Sequence, residues 1–185
     1  MRTMIRLTVV AMMITLFTVT FIAQPVMAGD TSKLDRAVDN ALKKLCAKSY
    51  AARELSKVAK GVLVFPSVTK AGFLVGGQYG EGALLMEGKT VGYYNTVAAS
   101  YGLQAGAQKF GYVMFFMDTE SLAYLNKSEG WEIGVGPSIV VVDEGMAKTM
   151  TTSTAQKGIY AFIFSQKGLM AGLGIQGSKI SKINP

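Results

Sequence analysis

Residues 61–86 read GVLVFPSVTKAGFLVGGQYGEGALLM. Apolar, β-branched and aromatic residues come in short runs that glycine or proline interrupts, a strand composition with no helical period. Val62–Phe65 predicts a strand that stops at Pro66, and Phe73–Val75 and Ala83–Met86 predict two more. Downstream the same composition returns at Val91–Tyr94, Tyr112–Met117, Ile133–Val142, Ile159–Phe164 and Leu169–Ile175. Glu87-Gly88-Lys89 and Gln166-Lys167-Gly168 have the make-up of hairpin turns. A pattern of glycine, Phe or Leu, any residue, Ala or Val, and glycine recurs at Gly72–Gly76, Gly102–Gly106 and Gly168–Gly172. Strand positions two apart share a face, so a larger side chain such as Leu74 sits between two glycines. Missing side chains permit a sharp bend or the close approach of a second backbone or a ligand. Tight packing in a small barrel and a lipid-contacting groove both fit this pattern.

Upstream, the periodicity is helical. Leu34, Val38, Ala41, Leu42, Leu45, Ala52, Leu55 and Ala59 recur at three- and four-residue steps, predicting one amphipathic helix over Thr31–Lys60 that Gly61 ends. Ser32 with Asp35 resembles a capping box. At 100° per residue, Lys33, Arg36, Lys43 and Lys44 fall on one flank of the stripe, with Asp35 and Asp39 on the other side. Such a helix either packs its stripe on the domain or lies on a membrane with its cations toward anionic headgroups. A short second helix is expected over Thr119–Asn126, capped by Asp118, with Leu122 and Leu125 inward. The fold class is therefore α+β: an N-terminal amphipathic helix on a curved antiparallel sheet or small barrel, with one short additional helix.

Composition bounds the chemistry. The 185 residues are 50% hydrophobic and 17% charged, with mean hydropathy +0.30 and 21 glycines, which excludes a disordered chain. With no histidine, imidazole acid–base catalysis, His-dependent triads and His-ligated metal sites are out. A single cysteine, Cys46, makes neither an internal disulfide nor a zinc cluster; its place away from the stripe's centre predicts an exposed thiol. Residues 172–177 match GxGxxG, but the helix, second strand and later acid of a dinucleotide site have no room after them. Glu129 with Glu132, and Asp143 with Glu144, lack calcium-loop spacing and read as solvated charge. No catalytic, cofactor or metal residue is expected.

Residues 1–28 read as a cleaved secretory signal: Arg2 and Arg6 precede an uncharged apolar run over Leu7–Ala23, Pro25 breaks it, and Val26-Met27-Ala28 offers a cleavage site. The remaining domain, 29–185, is polarised. Residues 29–60 carry eight basic and four acidic groups, 61–144 four basic and eight acidic, and 145–185 five lysines with no acid. Basic ends suit an anionic partner, or pair with the acidic middle.

Ala59–Pro66, Lys70–Phe73, Gly76–Gly82, Ser100–Gln108, Gly130–Gly134, Tyr160–Phe162 and Ser165–Leu169, in this order, resemble the SYLF domain family. The resemblance implies a noncatalytic, lipid-binding module; eukaryotic relatives bind phosphoinositides and some bind actin. Export separates this chain from actin and cytosolic phosphoinositides, leaving affinity for anionic lipid. The expectation is an exported protein, periplasmic or secreted, peripheral on a membrane, with Lys33, Arg36, Lys43, Lys44, Lys167, Lys179 and Lys182 as lipid-binding residues. The expected partner is an anionic lipid or membrane surface, and no nucleic acid. A scaffolding envelope protein that binds another protein is the alternative.

Overall fold

A straight strand of 26 residues would run roughly 85 Å, about twice the width of a domain this size, so the long strands of this protein must fold over. The computed structural model describes residues 31–126, 130–150, 157–168 and 177–184. In it, β1 (Gly61–Met86) and β2 (Lys89–Phe116) form one antiparallel ribbon. Its turn is Glu87-Gly88, where both residues take positive φ, 50° and 76°, the geometry whose twist matches a hairpin. The separate short strands expected from the sequence are segments of these two. Pro66 does not end β1; it sits in a register shift between Phe65 and Val68, where a bulge tolerates the missing N–H.

A second shift marks a corner. Phe73 pairs with Ala105 and Val75 with Tyr101, leaving Leu74 at the bend. Gly72 and Gly76 stand back to back across it: a Cβ on Gly72 would lie 2.3 Å from Gly76 Cα. Beyond the corner β1 returns over itself, and Gly80 and Gly82 are what let it. A Cβ at Gly80 would meet Val68 at 2.7 Å, and one at Gly82 would meet the Val64 carbonyl oxygen at 2.2 Å.

The remaining strands attach to β2. β5 (Ile159–Gly168) pairs with the part of β2 running from Gln108 to Phe116, and β6 (Lys179–Ile183) with Tyr93–Val97. β3 (Trp131–Glu132) extends β6, and β4 (Ile139–Val141) runs parallel to β5. The sheet is thus a curled, mixed half-barrel, with six strands among the described residues, which corrects the all-antiparallel expectation. Of Ile133–Val142 only β4 is strand, and Gln166-Lys167-Gly168 belongs to β5 rather than to a turn. Leu169–Ile175, the GxGxxG match up to Gln176 and the signal segment lie outside the described residues.

The long N-terminal helix is two: α1 (Thr31–Lys48) and α2 (Tyr50–Val58). Ser49 breaks it by taking an extended conformation and accepting from the Ala52 N–H at 3.2 Å as the N-cap of α2. The Asp35 carboxylate ties α1 to the sheet, accepting from Thr90 Oγ1 at 2.9 Å and from the Tyr93 hydroxyl at 3.1 Å on β2. Two further short helices occur, α3 (Thr119–Ala123), continued by a 3-10 turn at Tyr124–Asn126, and α4 (Glu144–Thr149), where one was expected. Asp118 caps α3, and Leu122 and Leu125 are buried.

Each face of the sheet carries a buried core. Inside the curl, Leu63, Phe65, Val68, Tyr112, Phe116, Trp131 and Ile180 form one cluster. On the outer face Val62, Val64, Val113, Phe115 and Phe162 pack with Val38, Ala41, Leu45, Ala52 and Leu55 of the two helices.

Candidate functional site

The helices cover only part of the outer face. Strand alternation carries that face from Val62 and Val64, past the bulge, to Thr69, Ala71 and Phe73 on β1, and from Phe115 and Val113 to Lys109 and Ala107 on β2. Thr69, Ala71, Phe73, Ala107 and Lys109 are all exposed. On β5 a shift between Phe164 and Lys167, with Ser165 at φ 54°, brings Lys167 into register directly opposite Lys109. Two lysines thus face each other across neighbouring strands, both exposed, a pairing that costs stability unless an anion bridges it. Neither pairs with a carboxylate among the described residues, and neither β2 nor β5 carries an acidic residue.

Next to this pair the corner of the ribbon presents apolar side chains to solvent. Phe73, Leu74 and Val75 are 75%, 53% and 60% exposed. Leu74 has φ 63°, a left-handed conformation rare for a bulky residue. Farther along β1, the Tyr79 hydroxyl donates to Glu81 at 2.6 Å, and burial, followed by that bond and the adjacent charge, pushes the phenol up to about 12.

The expected lipid-binding residues separate. Lys33, Arg36, Lys43 and Lys44 are exposed on α1, whose stripe packs where β1 and β2 carry Val62, Val64, Val113 and Phe115. The opposition of cations to acids on that helix does not hold. Lys43 is paired with Asp39 at 2.5 Å, because residues four apart on a helix are neighbours. Lys179 lies in register with Glu132, and Lys182 opposite Tyr94. Lys157 lies near the Asp118 carboxylate. Of the lysines expected from the sequence, Lys167 is the one that register places opposite another cation. Cys46 is half-buried rather than exposed, and burial pushes its thiol up, against the smaller lowering effects of Ser56 and Arg53.

Lys109 escaped the sequence reading because it sits in the acidic middle segment, where net charge hides it. The signal for the corner was the glycine-flanked Phe73-Leu74-Val75, legible as a motif but not as a surface.

Two clefts lie away from the corner. One of about 590 Å³ is lined by Lys48, Tyr50, Asp143 and Phe162, where Arg53 also stacks 5.3 Å over the Tyr50 ring; another of about 560 Å³ lies between α2 and the ribbon turn. Among the described residues no helix is long and apolar enough to cross a membrane, and no three His, Cys, Asp or Glu side chains gather as a metal site.

Residues 97–184, from the middle of β2 to the end of β6, match the family model described as "Ysc84: Las17-binding protein actin regulator". Residues 97–184 are a Ysc84 (SYLF) domain match. The match includes Lys109, Lys167, Lys179 and Lys182; α1, α2 and β1, with Phe73–Val75, lie N-terminal to it. No curated protein matches the chain significantly.

Proposed function

We propose that this Ysc84-domain protein is an exported, noncatalytic module that binds anionic lipid at a membrane surface. The observation that carries the reading is the Lys109–Lys167 opposition, both lysines exposed on strands that hold no acidic residue, beside exposed apolar residues. An anionic headgroup between the two ammonium groups relieves their repulsion, and each cation near an anionic surface contributes about 1 kcal/mol. Lys33, Arg36 and Lys44 add a second basic surface on α1, with Lys179 and Lys182 contributing longer-range attraction. The family description supports a binding role rather than turnover. Its Las17 and actin connection would require a cytosolic chain, and the leader-like residues 1–28 argue for the cell envelope or beyond.

Flotation with equimolar phosphatidylglycerol–phosphatidylcholine vesicles, against phosphatidylcholine alone, tests this. The purified protein floats with the anionic vesicles only, and salt weakens binding because surface charges are screened within about 8 Å at physiological ionic strength. Lys109→Glu with Lys167→Glu lowers affinity by roughly 30-fold or more. Equal flotation on neutral and anionic vesicles overturns the electrostatic reading. No flotation on either turns the assignment to an envelope scaffold that binds another protein.

A further inference from the structure

Building on the lipid-binding reading, we propose that the ribbon corner Phe73–Leu74–Val75 is a membrane-inserting wedge, its side chains entering the acyl layer of an anionic bilayer while Lys109 and Lys167 hold headgroup phosphates behind it.

Three observations meet at this place. The first is exposure: three consecutive large apolar residues, each more than half exposed, project from one end of the ribbon, an arrangement that a free surface does not favour and an apolar medium does. The second is backbone strain. Glycine adopts φ near 63° freely, and glycine stands at Gly72, Gly76 and Gly77 around the bend, yet the left-handed position itself is Leu74. Leucine there strains the free protein, and its side chain recovers little by packing, being 53% exposed. Strain of this kind concentrates at ligand-contacting sites. The third is charge. Lys109 and Lys167 lie on the same face as Phe73, four residues of β2 from its partner Ala105, and the nearest described acid along β1 is Glu81, engaged by Tyr79. Apolar residues backed by unpaired cations match the two layers of an anionic leaflet: hydrocarbon within, phosphate outside.

The test places an indole in the wedge by Phe73→Trp and reads its emission on phosphatidylglycerol–phosphatidylcholine vesicles whose acyl chains are brominated. Trp131 is buried, 2% exposed, so the wild-type protein supplies the background. Acyl-chain bromines are expected to quench the added indole and leave Trp131 unchanged; Val75→Trp repeats the measurement should the first variant fold poorly. Leu74→Gly, which keeps the bend, is expected to lower vesicle affinity about tenfold without lowering the melting temperature. Flotation without quenching in either tryptophan variant overturns the wedge and leaves lipid binding standing. Absence of flotation in the wild type overturns both.

Discussion

Replacing Gly82 by alanine tests the folded-over ribbon on which the exposure of the corner depends. The added Cβ would stand 2.2 Å from the Val64 carbonyl oxygen and 2.7 Å from the Phe65 ring, where Cβ contacts essentially never fall below 3.0 Å. The obstacle is a backbone oxygen and a fully buried aromatic ring, neither of which moves without parting the two arms of β1 by roughly 1 Å. Overpacking of this kind costs about 1–3 kcal/mol, and backbone as the obstacle places Gly82→Ala at the upper end, about 3 kcal/mol. For a chain of this length that lowers the melting temperature by about 6–12 °C. Gly77→Ala is the internal control. It lies five residues earlier on the same strand, and its nearest obstacle is the Ala98 carbonyl oxygen at 4.0 Å. Losing a glycine's freedom in the unfolded chain should stabilise that variant by about 0.4–1 kcal/mol. Thermal unfolding followed by far-ultraviolet circular dichroism measures both. If Gly82→Ala melts within a degree or two of wild type, the arms of β1 do not touch at Val64.

Asp35→Ala should destabilise by about 1–3 kcal/mol, since Thr90 and Tyr93 lose a charged acceptor; urea unfolding measures it. Asp118 is pushed up by burial, but bonds from the Ser121 and Gly158 N–H groups, helped by the Ser121 hydroxyl and Lys157, outweigh that and hold its carboxyl below the ordinary value. Its contribution is therefore present at neutral pH and lost as pH falls from about 4 through the folded value, so Asp118→Asn should be less stable than wild type at pH 7 and converge with it in acid. Tyr112→Phe removes a fully buried hydroxyl whose polar neighbour, Thr96, falls short of a well-formed hydrogen bond with it; a melting temperature equal to or above wild type is expected, and a clear loss would mean that the two hydroxyls bond in solution.

Much of this architecture was legible where chemistry is local. The Glu87-Gly88 turn, the Asp118 cap and the inward Leu122 and Leu125 follow from residues within one turn of each other. Strand extent was not, because Pro66 and the glycines that ordinarily end strands here occupy bulges and the corner, which need a partner strand to be recognised. The break at Ser49 was hidden by an apolar stripe that continues through it, Leu45 and then Ala52 and Leu55 being buried on both sides. Charge misled in the same way: helical projection placed Asp39 across from the cations, whereas Lys43 reaches it over one turn. Lys109 joins Lys167 only through register across strands some sixty residues apart in the chain, a relation no single-sequence pattern contains.

The bulges have a role beyond bending. Between Tyr112 and Phe116, β2 buries every residue, Tyr112, Met114 and Phe116 toward the curl, Val113 and Phe115 toward the helices. A one-residue slip would exchange these two sets, one apolar face for another, so hydrophobic alternation, which ordinarily fixes strand alignment, discriminates weakly here. Alignment falls instead to the shape of the backbone. The shifts at Phe65/Val68, Phe73/Val75 and Leu84/Leu85 engage β2 like notches on a key, and the shift at Lys109/Gly111 does the same for β5. Gly80 and Gly82 fit the returning arm in one position only, against Val68 and Val64. Because β2 is bonded to β1, β5 and β6 together, a single misplaced notch would misalign three interfaces at once. The irregularities of this sheet are what make its pairing unique.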